Sequence, residues 1–554
     1  MATTTVSIGS RTTTVDTETP ASSSGGSGPL YVVTFGTTPS GIAVGDMGFM
    51  DTEDAGSGSP SDYEFVVTAI SGANITLKYL RDTGSKGDHS PLGLYTGAGS
   101  SGSPTQAAMV FKRHGLPTSS ADGAAPSSVD TFSDAGPPAD SDVGDIAFVA
   151  GASANFEYLI TAIDLSAKTA TMKYLTGSGQ TSPYGIAGSG GTQAVLQFKR
   201  AFSTITLFEA MIDDASPTYW GSTDDVVGEC HADSPFTDDS RVYFDNKQSL
   251  ASVKLTVNSD DRHDGTEGTG VVIRPTAGSG HNNAIIDVNI DNFIMEWIEI
   301  DLGDLDSTNT NKAVLLRGTN DNNIIRNNLI HDKGGNPGGT GPFMVHVVAA
   351  GSSGDTISVL NNIIYNIVEG SNDNAAALLL NTWSGTANVY NNTIYNIQSA
   401  GGSKIAIGIR IASPSGSTAN VKNNIVAGLV SAASNGERAY EHGASDTGNG
   451  TLNEAYNLSD DTSATTYDAS GTGSLIDKSL AEIDFVSVGV GTEDLHIDTD
   501  SVCLEAGVDL GTTNEVNIDI DGVDRDATGV TWDIGADQAS TADTGNPAFL
   551  MFVD

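Results

Sequence analysis

The chain has 554 residues, of which 38% are hydrophobic, so it can bury several cores and is long enough for about two to four domains. Its 69 acidic residues against 25 basic residues give a net charge of -44, which excludes nucleic acid and anionic membranes as expected partners. No run of residues is long and apolar enough for membrane insertion, and the N-terminus lacks the pattern of a signal peptide.

The first 200 residues are predicted to hold an arm and two β modules. Residues 1–29 are rich in Thr, Ser and Gly and are expected to form an extended arm that docks on a neighbouring subunit. The pattern around Tyr63–Ile70 in residues 30–115 returns as Phe156–Ile163 in residues 127–200. Alternating hydrophobic residues and Gly-rich turns predict that each copy is a small antiparallel β-barrel or sandwich.

A linker is predicted over residues 201–224. Within it, Thr206–Ile212 has the hydrophobic spacing of a short amphipathic helix. We expect this helix to cover the first strand edge of the domain that follows and to block further strand pairing there.

Pairs of asparagines flanked by hydrophobic residues recur at a nearly fixed interval in the second half of the chain. The first asparagines of the pairs are 34, 30 and 32 residues apart, which predicts a stacked solenoid of coils. Asparagine tolerates the left-handed backbone of a sharp bend, and equivalent amides in stacked coils can bond to one another. The predicted structural ladder consists of Asn327, Asn328, Asn361, Asn362, Asn391, Asn392, Asn423 and Asn424.

These repeats resemble the right-handed parallel β-helix proteins of the pectate-lyase-like superfamily, over roughly residues 225–540. The predicted fold class is therefore all-β: a parallel β-helix over residues 225–480, preceded by the two tandem antiparallel modules. Residues 481–554 are expected to form a closing segment and an apolar tail. In that segment Gly522 is predicted to turn the chain and Arg525 to pair with a carboxylate such as Asp533.

No group of residues has the spacing of a catalytic or metal site, and the sequence favours a protein that is not an enzyme. The resemblance nevertheless implies that a site would lie on the outside of one strand column. Catalytic candidates are His346 and Arg410 on that column and Asp373 on a nearby turn. Carbohydrate-binding candidates are Trp383, Arg317 and His331, also on nearby turns. No cofactor is predicted, although Ca²⁺ bound loosely to the acidic surface is compatible with the composition.

The leading hypothesis is a virion structural protein of a tailed phage: a spike, a fibre or a capsid decoration protein. The resemblance implies a homotrimer, attached to other virion proteins through the N-terminal arm and modules and located on the virion surface. One alternative is a tailspike depolymerase, either a lyase or a hydrolase, that cleaves the host's surface polysaccharide. The second alternative is an adhesin that binds glycans without cleaving them.

Overall fold

The computed structural model forms two compact units, an N-terminal unit of mainly residues 4–203 and a solenoid unit of mainly residues 204–217 and 221–554. The predicted apolar tail, residues 547–554, lies outside the described residues. The structure describes residues 2–11, 14–18, 20–25, 30–35, 41–44, 46–52, 61–82, 109–112, 114–115, 117–120, 127–132, 137–149, 156–177, 196–214, 219–237, 241–275, 284–303, 312–318, 322–334, 343–349, 354–369, 374–381, 385–412, 416–433, 436–442, 450–460, 469–527 and 530–539.

The N-terminal unit contains two antiparallel sheets of seven strands with the same strand order. The sheets run β2-β8-β5-β6-β7-β4-β3 and β9-β15-β12-β13-β14-β11-β10, so each follows the order first, seventh, fourth, fifth, sixth, third, second. Strand β1 (Thr3–Ile8) precedes these sheets and belongs to neither. The fourteen strands of the two sheets are β2 (Thr14–Glu18), β3 (Pro20–Gly25), β4 (Leu30–Phe35), β5 (Met47–Thr52), β6 (Ser61–Ser71), β7 (Asn74–Asp82), β8 (Met109–Lys112), β9 (His114–Gly115), β10 (Pro117–Ser120), β11 (Ser127–Phe132), β12 (Ile146–Val149), β13 (Phe156–Asp164), β14 (Thr169–Gly177) and β15 (Leu196–Lys199).

This shared order matches the duplication seen in the sequence, while the exact module boundaries stay a prediction. Strands β2 and β3 fall within residues 1–29, the span expected to be an arm, and belong to the first sheet. The propensity of Thr and Val for extended structure explains why this Ser- and Thr-rich span forms strands.

The solenoid unit is built from three parallel sheets, which confirms the predicted parallel β-helix. Sheet 1 contains β16-β18-β21-β24-β27-β30-β33-β37, sheet 2 contains β19-β22-β25-β28-β31-β34-β38 with β35 beside β31, and sheet 3 contains β17-β20-β23-β26-β29-β32-β36. From Phe293 to His442 each coil contributes its strands in the order sheet 1, sheet 2, sheet 3.

The elements of this unit begin with helix α1 and end with a short hairpin. They are α1 (Ile205–Ile212), β16 (Asp225–Cys230), β17 (Val242–Phe244), β18 (Ser252–Val257), β19 (Val272–Ile273), β20 (Ile286–Val288), β21 (Phe293–Glu296), β22 (Glu299–Asp301), β23 (Val314–Gly318), β24 (Asn323–Arg326), β25 (Leu329–His331), β26 (Phe343–Ala349), β27 (Thr356–Leu360), β28 (Ile363–Glu369), β29 (Ala375–Asn381), β30 (Thr386–Tyr390), β31 (Thr393–Ser399), β32 (Ala406–Ala412), β33 (Thr418–Lys422), β34 (Ile425–Ala427), β35 (Val430–Ser431), β36 (Glu437–His442), β37 (Thr451–Ala455), β38 (Leu458–Ser459), α2 (Leu480–Ile483), β39 (Phe485–Ser487) and β40 (Asp494–Ile497), with 3-10 turns at Ser259–Asp261 and Thr513–Glu515.

The asparagine pairs form the bend between sheet 1 and sheet 2. The first asparagine of each pair has a positive φ, from 52° at Asn327 to 56° at Asn423, as the bend requires. The second asparagines form the ladder: Asn328, Asn362 and Asn392 each donate from Nδ2 to Oδ1 of the next one, over 2.9 to 3.0 Å. The same Oδ1 atoms also accept the backbone N–H of the coil before.

The ladder continues one coil beyond the predicted repeats. Asn424 donates to Oδ1 of Asn457 over 3.0 Å. The residue before Asn457 is Tyr456, which takes the left-handed backbone with φ of 55°. The sequence repeat did not predict this coil because a tyrosine replaces the first asparagine.

The first asparagines have a different function from the second ones. They hold the closing segment, here named the C-terminal strap (residues 480–539), against the bends. Nδ2 of Asn423 donates to the carbonyl of Val508 over 2.8 Å, and Nδ2 of Asn361 donates to the carbonyl of Ile518 over 2.7 Å. The strap therefore runs back along the stack of coils, in the direction opposite to coil growth.

The strap buries the face of sheet 2 that turns away from the interior of the solenoid. Its apolar residues form one core with those of sheet 2, so the strap is part of the folded solenoid. The core residues are Leu329, Ile363, Tyr365, Ile425, Ala427 and Leu458 of the coils and Ile483, Phe485, Leu495, Ile497, Cys503, Ile520, Ile534 and Ala536 of the strap.

Arg525 and Gly522 shape the end of the strap. Gly522 has φ of 80°, in agreement with the predicted turn. Arg525 is fully buried, but its guanidinium donates to the main-chain carbonyls of Gly535, at 2.9 Å, and of Asp533, at 3.4 Å. A third hydrogen bond goes to Oε1 of Gln538, at 3.4 Å. The guanidinium thus donates to two backbone carbonyls and a side-chain amide, and not to the predicted carboxylate of Asp533, because the strap folds around it.

Helix α1 forms where the sequence predicts an amphipathic helix. Thr204 caps it by accepting a hydrogen bond from the N–H of Leu207 over 3.1 Å. Phe208 is buried and lies 6.3 Å, between ring centroids, from Phe244 of strand β17. The helix therefore packs on an early strand of sheet 3.

We expect Asn392→Ala to lower the free energy of unfolding by about 3 to 5 kcal/mol, since it leaves several buried hydrogen-bonding groups without partners at about 1–3 kcal/mol each. Asn392 is fully buried and bonds to the coils on both sides. Denaturant unfolding measures the effect. The matched control is Asn420→Ala, which removes a partly exposed bond to Asn388 and an exposed bond from Asn453 and is expected to cost less than about 1 kcal/mol, because water can replace both partners. Equal losses in both variants would contradict a stabilising buried ladder.

Candidate functional site

His346 and Arg410 lie on one column of sheet 3, as the sequence predicts for the outside of a strand column. The register along this column is Leu315, His346, Leu379, Arg410 and Glu441. Leu379 separates the two candidates, which are therefore two coils, or about 10 Å of backbone, apart. Nε of Arg410 faces Oε2 of Glu441 at 3.5 Å.

His346 is a partly exposed neutral histidine. Burial lowers its pKa to about 4, and the positive charge of Lys312 adds to this effect. The ring lies 5.4 Å from that of Phe343, and neither ring nitrogen has a hydrogen-bond partner within the described part of the chain. A neutral imidazole of this kind can accept a proton, which is the property that a general base needs.

Arg317 is engaged by its own coil neighbours. Its Nε donates to Oδ1 of Asp287 over 2.7 Å, and its guanidinium lies 4.8 Å above the ring of Tyr243. Arg241 binds the same carboxylate over 3.0 Å. These contacts hold Arg317 flat against sheet 3.

Two further candidates, Asp373 and Trp383, lie outside the described residues.

His331 lies on sheet 2, apart from His346 and Arg410, at the centre of a group of acids. It is fully buried, with Nε2 3.1 Å from Oε1 of Glu299 and Nδ1 3.1 Å from Oδ2 of Asp332. Burial by itself lowers the pKa of His331, but the hydrogen bonds to Asp332 and Glu299 outweigh it and raise the pKa to about 9. The imidazole is therefore held in a fixed orientation between two carboxylates.

Neighbouring coils fix both carboxylates. Glu299 is fully buried, and its Oε2 accepts the backbone N–H of Gly268 over 2.8 Å. Asp332 accepts from Nδ2 of Asn366 at Oδ1 over 2.9 Å, and the same Nδ2 donates to Oε1 of Glu493 over 2.8 Å. Burial by itself would raise the pKa of Asp332, but the hydrogen bonds from His331 and Asn366 together outweigh it. The pKa of Asp332 therefore lies below its ordinary value.

Glu267 and Tyr365 complete this group. Glu267 is exposed, and partial burial raises its pKa despite the opposing charge of His331. One ligand atom each from Glu267, His331 and Asp332 lie within 4.8 Å of one another, so these three residues are candidates to hold a metal ion. The ring of Tyr365 stacks on His331 with centroids 5.0 Å apart.

Two other groups of acids occur among the described residues. In the strap, His496 binds Asp494 over 2.5 Å and Asp521 over 3.1 Å, and these bonds outweigh burial and raise the pKa of His496 to about 11. Around helix α1, burial and mutual repulsion raise the pKa of Glu209 to about 8 and that of Asp213 to about 6.

Sequence reasoning found His331 but missed Glu267, Glu299 and Tyr365. Glu267 lies in a loop before the regular repeats, so no period relates it to His331. Glu299, His331 and Tyr365 do lie on successive strands of sheet 2. Aligning the coils by their bends would have paired His331 with Tyr365 and placed Glu299 two residues before Asp301, the register partner of His331. The sequence contains the information that these residues are neighbours, but reading it requires knowing how the strands of successive coils pair.

The structure defines the class: this chain is a parallel β-helix protein with an all-β fold. No protein-family model matches it, and no curated protein matches it detectably. A solved structure described as a glycoside hydrolase aligns with 83% of this chain and 73% of its own, at 8% identity and a TM-score of 0.21. A likeness at this level carries no argument about activity.

Within the described residues, no helix has the length and apolar character needed to cross a membrane.

We expect the stability of the protein to fall between pH 6.5 and 4 because of His346. Its pKa in the folded state, about 4, lies below the ordinary 6.5, so its contribution is present above pH 6.5 and is lost as the pH falls through this window. The loss is about 2 kcal/mol, allowing for partial exposure. His346→Leu, which copies its register neighbours Leu315 and Leu379, should remove this part of the pH dependence in denaturant unfolding. An unchanged pH profile in the variant would contradict the assignment.

Proposed function

We propose that this protein is a structural part of a tailed-phage virion, either a spike, a fibre or a capsid decoration protein. In this proposal the duplicated N-terminal sheets attach the chain to other virion proteins and the β-helix projects from the virion surface as a shaft. The chain acts as a homotrimer in this proposal, which the resemblance to parallel β-helix proteins and the closed symmetry of most soluble oligomers support.

The observation that carries the proposal is the way in which the coils are locked together. The buried amides from Asn328 to Asn457 form one continuous chain of hydrogen bonds across the coils. The strap adds a second set of bonds along the same bends. Two such sets make the coils resist bending and sliding, which is the mechanical property of a shaft.

The surface charge and the modules support the same function. A net charge of -44 keeps many copies apart in solution and disfavours non-specific adhesion to nucleic acid released during lysis. Two sheets with one strand order, each within the first 200 residues, provide a repeated unit for attachment.

Fractionation of virus particles tests the proposal. We expect antibodies against the full chain to label intact particles in electron micrographs, and the chain to sediment with infectious particles in a density gradient. Native mass spectrometry of the purified protein is expected to give three times the chain mass of 56.9 kDa. A chain that stays in the soluble fraction and off the particles would contradict the virion assignment, while a monomer would contradict only the trimer.

The second candidate function is cleavage of a host surface polysaccharide at the column of sheet 3 that carries His346 and Arg410. The observation that favours it is His346, a neutral imidazole whose ring nitrogens have no hydrogen-bond partner among the described residues. In a lyase such a group removes the proton beside a uronate, and Arg410 stabilises the resulting negative charge.

Incubation with host polysaccharides tests the second candidate. We expect release of reducing ends or of unsaturated uronate absorbance, lowered at least about 100-fold by His346→Ala or Arg410→Ala, as removal of a general base implies. Lys422→Ala, which removes a cation of sheet 1, is the control and should retain the activity. Saturable binding without cleavage would instead support the adhesin, and neither binding nor cleavage would eliminate both glycan functions.

A further inference from the structure

We propose that Glu267, His331 and Asp332 bind one divalent transition-metal ion of the zinc class. Each residue offers one ligand atom, and the three atoms lie within 4.8 Å of one another. The residues come from different coils of the solenoid: Glu267 from the loop before β19, and His331 and Asp332 from the end of β25. The proposal does not depend on the function proposed above.

The orientation of His331 is that of a metal-binding histidine. Nε2 is held by Oε1 of Glu299 at 3.1 Å, which directs Nδ1 towards Asp332. Histidine ligands of metals generally give their second nitrogen to a carboxylate or carbonyl in this way, which fixes the tautomer and strengthens the ligand. Glu299 is fully buried, so water does not compete for this bond.

Neighbouring groups also position the two carboxylate ligands, Asp332 and Glu267. Oδ1 of Asp332 is occupied by Nδ2 of Asn366, at 2.9 Å, which leaves Oδ2 on the side of His331. Oε2 of Glu299 binds the N–H of Gly268 and so fixes the loop that carries Glu267 beside the imidazole. Glu267 itself is exposed, and one of its carboxylate oxygens lies within 4.8 Å of the ligand atoms of His331 and Asp332.

Tyr365 provides an independent observation. The residue is 1% exposed, its ring stacks on His331, and its hydroxyl is buried without a hydrogen-bond partner among the described residues. The carboxylates of Asp332 and Glu267 act on this hydroxyl electrostatically. A buried hydroxyl without a partner, on a ring that stacks on a ligand histidine, has a role once a metal-bound water or a shifted carboxylate oxygen accepts its proton.

Charge balance also favours a cation. Glu267, Glu299 and Asp332 bring three carboxylates around one imidazole, and a divalent ion that displaces the proton from Nδ1 of His331 neutralises more of this charge than the proton does. One nitrogen and two oxygens suit Zn²⁺ and its neighbours Mn²⁺ and Co²⁺ better than Ca²⁺, which prefers oxygen ligands alone.

The other two acidic groups each lack one of these features. His496 also lies between two carboxylates, those of Asp494 and Asp521, but among the described residues no ring with an unpartnered hydroxyl stacks on it as Tyr365 stacks on His331. The group of Glu209, Asp213 and Asp245 has no nitrogen ligand. Both groups therefore serve as matched references for the proposed site.

Zinc titration of the chelator-treated full chain tests the proposal, with millimolar Mg²⁺ present to occupy the acidic surface. We expect one equivalent of Zn²⁺ to bind, with release of a proton, and affinity to fall as the pH is lowered. Glu267→Gln should lower the affinity at least about tenfold, and Glu299→Gln, which removes the carboxylate behind His331, about 10- to 100-fold. Co²⁺ bound in place of Zn²⁺ should give a visible absorption spectrum that the Glu267→Gln variant lacks.

The controls remove one exposed acid from each reference group, Asp521→Asn and Asp245→Asn, and should leave binding unchanged. Glu267 makes no hydrogen bond recorded among the described residues, so Glu267→Gln is expected to fold normally, as circular dichroism will verify. The proposal is overturned if zinc binding is unsaturable, if Glu267→Gln binds as tightly as the parent protein, or if either control variant abolishes binding.

Discussion

The buried amide of the second asparagine in each bend is the interaction on which the rest of this structure depends. Each amide carries two donors and an acceptor into a site without water, and an unmet group there costs about 1–3 kcal/mol. The stack satisfies them by placing Asn328 on one side of Asn362 and Asn392 on the other, with backbone groups of neighbouring coils as further partners. This requirement fixes the register of the coils, and with it every column of side chains on the three sheets.

The same bends explain the path of the strap. A bend of this type leaves the side chain of the first asparagine pointing outward, where its amide needs partners. Carbonyls of the strap at Val508, Val516 and Ile518 supply them, while the apolar residues of the strap cover sheet 2. Sheet 2 can therefore be apolar on both faces, apart from the polar residues around His331.

The acids around His331 show how stacking creates chemistry that no local motif contains. Glu267, Glu299 and His331 are separated in the chain by about one coil each and meet because the coils lie about 4.8 Å apart. The candidates named from the sequence are distributed differently: His346 and Arg410 share a column of sheet 3, and Arg317 is bound by Asp287. Residue type alone could not distinguish these environments.

The repeat, the left-handed bends, the parallel β-helix and the short helix before it could all be predicted from the sequence. They follow from local backbone preferences and from a period that is visible in the chain. The sequence did not determine the route of the strap, the hydrogen bonds of Arg525 or the grouping of acids around His331. Those depend on which residues of separate coils come to lie side by side, and that is decided by the buried amide register of the folded stack.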